Sequence, residues 1–209
     1  VNENAKIIYV GAASGGVWKS ENGGSSWTPI FDEQPTQNIG SLAISQSNSS
    51  VIWVGTGEGN PRNSMNLGMG IFKSGNAGKS WVQMGLEKTK TIHRIIIHPT
   101  NEDVIYVGAM GDPFTKNSHR GLYKTSNGGK NWKQILYTNS SSGVADLVMD
   151  PKNPKKLFAA MYDHQRTPYY FTSGGPGSGL YTSEDAGATW RKISHENGLP
   201  KGDLGRIGI

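Results

Sequence analysis

The chain has 209 residues, a formal net charge of +5, 29 glycines, 10 prolines and no cysteine. That length can hold a sizeable core in one or two domains, and the lack of cysteine excludes disulfides and thiolate metal sites. No apolar run approaches the roughly 18 residues of a membrane-spanning helix. Lysine and arginine are scattered rather than striped with aromatics, which argues against nucleic acid as a partner.

The chain opens at Val1, almost inside a strand and with no charged-then-apolar leader, so a processed or partial polypeptide is expected. In chain order, residues 5–13 (AKIIYVGAA) form a first strand-like run, 16–20 (GVWKS) a second, and a third begins after Trp27. Residues 39–45 (IGSLAIS) open a longer unit, continued by 50–58 (SVIWVGTGE), 70–74 (GIFKS) and a run after Trp81. The unit returns at 93–99, 103–111, 121–125 and after Trp132, and again at 145–151, 155–163, 179–183 and after Trp190. Residues 204–209 (LGRIGI) look like its opening run once more. These runs are rich in Val, Ile, Tyr and Trp between Gly, Asn and Pro, as strands are. None keeps a helical apolar period. Four short strands in each repeat of about fifty residues predict the blade of a β-propeller. The expected fold is all-β, one propeller segment over residues 1–209. Because the register stops in mid-pattern, an open arc of a larger ring is expected rather than a closed ring of four.

A short pattern recurs between the last two strands of each repeat, at 20–27, 74–81, 125–132 and 183–190. The copies include KSENGGSSW, KSGNAGKSW, KTSNGGKNW and TSEDAGATW. Ser20, Ser74, Thr125 or Ser183 and then Asn22, Asn76, Asn127 or Asp185 can accept bonds from turn amides. Gly24, Gly78, Gly129 and Gly187 supply a backbone state that a Cβ opposes. The tryptophans are expected to cover the turn and bury a large apolar area. Three of the four copies use neutral Asn where the fourth uses Asp, so turn chemistry is expected here rather than metal binding.

These copies are identified as Asp-boxes, or BNR repeats. The chain resembles the box-bearing propellers of sialidases, of xyloglucan-degrading two-propeller glucanases and of sortilin-type receptors. The segments GTGEGNPRNS and GLYKTSNGGKNW look most like large sortilin-like BNR proteins of bacterial surfaces. The resemblance implies a secreted, periplasmic or cell-surface location and a glycan or a protein or peptide as ligand. It leaves activity open, because the family mixes enzymes and binders. In the glucanases one catalytic Asp follows an inner strand in a run like Thr-Asp-Ile-Gly-Gly; the matching position here is Ala13, in Ala12-Ala13-Ser14-Gly15-Gly16. No sialidase arginine motif is recognisable.

Numbering the strands of a repeat A to D, the B–C loops leave the sheet at the end opposite the boxes. Long loops in a compact repeat tend to carry function. The second holds Glu58 and Arg62, the third Asp112, His119 and Arg120, the fourth Asp163, Arg166 and Tyr169. Carboxylates, arginines and aromatic faces together suit a sugar ligand. The expected ligand-binding set is Glu58, Arg62, Asp112, Arg120, Asp163, Arg166 and Tyr169. Glu58, Asp112 and Asp163 are also candidates for the two carboxylates of a glycosidase. Each reads equally as a loop acid satisfying turn amides or a nearby arginine. No phosphate loop opens a helix and no histidine spacing suits a metal, so neither metal nor cofactor is expected. The main expectation is a non-catalytic binding module for a glycan or protein; the alternative is a glycoside hydrolase.

Overall fold

The computed structural model describes residues 1–60 and 64–209. Its strands, in chain order, form four antiparallel sheets. The first holds β1 (Ile8–Ala12), β2 (Gly16–Ser20) and β3 (Thr28–Pro29). The second holds β4 (Ile39–Ile44), β5 (Ile52–Thr56), β6 (Ile71–Ser74) and β7 (Val82–Gln83). The third holds β8 (Ile92–His98), β9 (Asn101–Ala109), β10 (Gly121–Thr125) and β11 (Lys133–Leu136). The fourth holds β12 (Ser142–Met149), β13 (Leu157–Arg166), β14 (Phe171–Ser173), β15 (Gly179–Ser183) and β16 (Arg191–Ile193). These are blades of a β-propeller, ordered A to D from the inside out in the last three sheets and B to D in the first.

Two features depart from the sequence expectation. Strand β14 is an addition: β13 runs on past the sheet to Arg166 and pairs with β14 in a hairpin inside the fourth B–C loop. Residues 204–209 do not form a strand; Leu204 makes a single bridge to Gly175. Among the described residues β1 pairs with β2 alone, so the ring is not closed through 204–209.

Neighbouring blades interlock by shape. The B strands carry Gly11, Gly55 and Gly108 where the next blade's A strand presents Ile39, Ile92 and Val144. A Cβ on those glycines would lie 2.7, 2.3 and 2.7 Å from the branched side chains. The glycines are therefore sockets for the β-branched knobs of the next blade. Each knob lies in a buried cluster: Ile39 with Phe31 and Phe72, Ile92 with Trp53 and Ile105, and Val144 with Tyr106 and Leu157.

The boxes all lie in C–D turns, and their bonds repeat closely. The box hydroxyl donates to the Asn or Asp side chain at 2.8–3.0 Å. It accepts the amide of Gly24, Gly78, Gly129 or Gly187 at 2.8–3.1 Å. The Asn or Asp oxygen then accepts an amide four residues on at 2.8–3.0 Å. In the single acidic copy, the hydroxyl and amide of Thr189 hold the Asp185 carboxyl down to about 2.

The box tryptophans are less buried than expected, because Trp81, Trp132 and Trp190 pack sideways on the preceding blade rather than under their own turns. Trp81 Nε1 donates to the Ile30 carbonyl at 2.6 Å and Trp132 Nε1 to that of Met84 at 2.7 Å. Trp132 also meets Trp53 edge to face at 6.1 Å. Trp81, Trp132 and Trp190 are half-buried, while Trp27 is 38% exposed, having no described sheet to lie against. Return contacts run from B-strand aromatics to the next box. The Tyr9 hydroxyl donates to the Ala77 carbonyl and that of Tyr106 to the Ala186 carbonyl. Both alanines sit at φ 59°, a left-handed state that costs energy and aims the carbonyl at the neighbour. Lys19, Lys73 and Lys124 lie 5.2–5.8 Å over the rings of Tyr9, Trp53 and Tyr106.

The two kinds of box tryptophan should separate in stability. Replacing Trp132 by Ala is expected to cost about 3 kcal/mol, and replacing Trp27 by Ala less than about 1 kcal/mol. Equal losses in denaturant unfolding would show that the blade-to-blade contact is not what Trp132 supplies.

Candidate functional site

The loop end of the strands is built around a buried guanidinium. Arg120, the last residue of the third B–C loop, is 0% exposed. Its Nη1 donates to the carbonyls of Ser141 and His164 at 2.8 and 2.9 Å, and its Nη2 to those of Asp112 and Thr115 at 2.6 and 3.1 Å. It thus ties the third B–C loop to the β13 end and to the D–A connection before β12. Burial lowers its pKa to about 10, against the charges of Asp112 and Asp163, which favour the cation. Arg120 was expected on the ligand face. It sits behind that face and positions the loops, since a buried guanidinium whose two terminal nitrogens are spent on loop carbonyls has no exposed donor to offer a ligand.

The acids are also tied in, Asp112 through its carboxylate and Asp163 and Glu58 through their main-chain amides. The Asp112 carboxylate accepts the Phe114 amide at 2.9 Å and caps its own turn. Asp163 is 7% exposed on β13, under Gly175, with its amide donating to Ser178 Oγ at 2.9 Å. Glu58 is 4% exposed, its amide donating to the Asn66 carbonyl at 2.9 Å. Arg62 lies outside the described residues. The Arg166 amide donates to the Pro113 carbonyl at 2.7 Å, which brings the third and fourth B–C loops together. The Arg166 guanidinium stacks 5.3 Å from the Phe171 ring. Asp112, Arg120, Asp163 and Arg166 therefore share one neighbourhood between the last two blades. Glu58 belongs to the second blade's loop, where Gly59 packs against the His93 ring. Ala13 lies in the first B–C loop.

Tyr169 stands at the tip of the β13–β14 hairpin and is 99% exposed, with exposed Tyr170 beside it. The tip is a tight turn held by Thr167, whose amide and hydroxyl both donate to the Tyr170 carbonyl. Exposed Phe114 belongs to the adjoining loop. Two aromatics on a rigid hairpin offer flat apolar faces to solvent.

Sequence inspection passed over residues of the innermost strands. Arg94 on β8 and Asp146 on β12 form an ion pair, Nε to Oδ1 at 2.7 Å. Burial raises the Asp146 carboxyl pKa, but the Arg94 bond, the Ile209 and Leu147 amides and the Arg94 charge outweigh it, and the net shift is downward. His93 Nε2 lies 2.6 Å from Arg206 Nη2 and accepts its hydrogen, so the ring is neutral. His164 packs between Tyr162 and Phe171 with neither ring nitrogen hydrogen-bonded. Burial first, then neighbouring arginines, pushes both histidines down to about 4. His93 and His98 sit at opposite ends of β8. Among the described residues no group of three or more His, Cys, Asp and Glu gathers where it could hold a metal. The signal for Arg94 and Asp146 was their shared place, second in the HRIII and ADLVM runs.

The Sortilin-Vps10 family model, described as "Sortilin, neurotensin receptor 3", matches residues 69–198. The chain belongs to this family. Xyloglucanases are also similar to this Sortilin-Vps10 chain. One from Hypocrea jecorina is 25% identical over 218 residues, covering 91% of this chain and 24% of its own length. One from a Paenibacillus species is 24% identical over 235 residues, covering 95% and 20%. Among solved structures, the GH74 enzyme of Niastella koreensis superposes with a TM-score of 0.66 at 21% identity, covering 90% of this chain and 28% of that one. The GH74 xyloglucanase of Xanthomonas campestris gives 0.67 at 18% identity, covering 90% and 28%. These likenesses show the propeller fold. The chain spans about a quarter of the length of the curated relatives it matches.

The histidines give a pH prediction. A histidine whose folded pKa lies below its ordinary 6.5 binds its proton more readily when unfolded. The stability it contributes is complete above that value and is lost as the pH falls through about 4. His164→Phe, which keeps the ring packing, should flatten the fall of the thermal midpoint between about pH 7 and pH 4. A variant that keeps the parent's slope would remove His164 as a cause.

Proposed function

We propose that residues 1–209 are an arc of a larger propeller of glycoside-hydrolase type, and that this arc binds a neutral β-glucan of the xyloglucan class at the loop end of its strands. The observation that carries this is the match of nearly the whole chain to proteins named as xyloglucanases. It favours the hydrolase alternative over a purely non-catalytic module. On this reading the protein works outside the cytoplasm, at the cell surface or beyond it, where such a polymer is found.

The chemistry of the loop end fits a polysaccharide. Tyr169 and Tyr170 present rigid faces on which the C–H face of a sugar ring can stack. Arg166 and Asp163 lie at the base of the same hairpin and supply polar contacts. Arg120 holds the loops from behind. Asp112 and Asp163 are the candidate acids of this neighbourhood, and Glu58 is a third from the second blade. Their burial and turn bonds, with Ala13 at the glucanase aspartate position, favour binding and positioning as this arc's share of the work.

The test is retention in a xyloglucan affinity gel with a parallel assay for released reducing sugar. The parent should be retained, and replacing Tyr169 and Tyr170 by Ala should weaken retention about tenfold. No retention by any neutral β-glucan, together with binding of a peptide, would overturn the glycan reading. Sugar release that falls about a hundredfold in folded Asp112→Asn or Asp163→Asn would make that acid catalytic; unchanged retention and release would leave it structural.

A further inference from the structure

Three of the four sheets share one irregularity at one place. In each, the ladder between the innermost strand and its neighbour skips a single residue near the strand's start. The skipped residues are Gly40, His93 and Ala145. A β-bulge re-aims the side chain beside it, and bulges recur next to functional sites. The residues that follow are Ser41, Arg94 and Asp146, all partly exposed. Opposite them on the ladder stand the small residues Gly55, Gly108 and Ala160.

The repeated bulge brings Arg94 and Asp146 together across the gap between two blades. Their side chains are 40% and 15% exposed, so the pair is open to solvent rather than sealed in the core. Its valences are unevenly used. Arg94 Nε is spent on Asp146 and Nη1 on the His93 carbonyl at 3.0 Å. Nη2 has no hydrogen-bond partner among the described residues. Asp146 Oδ1 takes Arg94 and the Leu147 amide, while Oδ2 takes the main-chain amide of Ile209 at 3.1 Å. The 204–209 segment thus already places a neutral donor on this acid. The pair offers one open cationic donor and one anionic acceptor side by side and is itself neutral, with the Arg206 guanidinium held close by on His93 Nε2.

We propose that the bulge-borne pair Arg94–Asp146, with Ser41 at the equivalent position one blade earlier, is a saccharide subsite that grips a vicinal diol. One hydroxyl donates to Asp146 Oδ2 in place of the Ile209 amide; its neighbour accepts from Arg94 Nη2. A carboxylate ligand would face Asp146 and a cationic one Arg94, so the subsite selects neutral sugars. This inference rests on the β-glucan reading above and gives it a second contact point, on the inner strands rather than the hairpin.

The experiment titrates the chain with neutral xyloglucan oligosaccharides and with oligogalacturonate, following heat of binding and thermal midpoint. Asp146→Asn and Arg94→Gln are each expected to weaken the neutral ligand about tenfold, as a lost charge-assisted bond does. The exchanged variant Arg94→Asp with Asp146→Arg keeps an ion pair between the blades. It should restore the thermal midpoint without restoring binding. If the exchange restores binding as well as stability, the pair is only a staple and the proposal fails. If all these variants bind like the parent while the Tyr169 and Tyr170 replacements weaken binding, the subsite is wrong and the β-glucan reading stands. If the parent binds no neutral oligosaccharide, both fall. Tighter binding of oligogalacturonate than of the neutral ligand would also overturn the proposal. Ser41→Ala, which leaves the ion pair intact, covers the case in which Asp146→Asn does not fold, and should weaken binding several-fold.

Discussion

Everything in this molecule depends on how one blade fastens to the next. A four-stranded antiparallel sheet has two apolar faces and cannot hide either alone; stacking hides both. Here the stack is keyed twice. Near the axis, a glycine on each of the first three B strands receives a β-branched side chain from the following A strand. Near the rim, Trp81 and Trp132 bond carbonyls of the preceding blade, and Tyr9 and Tyr106 bond forward into the next blade's box. The two keys sit at different radii, so they fix the angle between blades as well as their distance.

The box is therefore less a covering for its own turn than a connector. Its hydroxyl, amide and glycine hold the loop in one shape, and that shape throws the tryptophan sideways and turns a carbonyl outward. Left-handed Ala77 and Ala186 show the cost accepted for this, since a residue with a Cβ is held where glycine would be relaxed. The neutral and acidic copies make the same amide bonds, which is why Asn and Asp exchange freely at this point.

A rigid connector at one end of the strands leaves the other end free to vary. The B–C loops differ in length and in content, and one has grown a hairpin. Their order comes from Arg120, which replaces a small core with four carbonyl bonds. Burying a guanidinium is costly unless its hydrogens are satisfied; here they are, apart from Nε. The result is a stiff platform from which Tyr169 and Tyr170 project, next to inner strands whose bulges turn polar side chains outward. A rigid scaffold with a variable end can host binding or catalysis without rebuilding its core.

The repeat, the four strands of each unit and the place of each box in a C–D turn were all legible in the sequence, because they rest on local chemistry. Alternating β-branched residues, turn-forming Ser, Asn and Gly, and a fixed spacing act within a few residues of one another. The face carrying the B–C loops followed from strand direction alone. What the sequence did not determine was partnership. Trp27 and Trp132 sit in like local patterns, yet of the two it is Trp132 that lies against a neighbouring sheet among the described residues. Arg120 and Arg166 look alike in their loops, yet one is buried among carbonyls and the other stacks on Phe171. Run 204–209 has the composition of an A strand, yet among the described residues its one ladder contact is the Leu204–Gly175 bridge. Arg94 and Asp146, 52 residues apart, meet only because three sheets bulge at the same register. Such pairings depend on the angle between blades, a property of packed sheets that no single repeat contains.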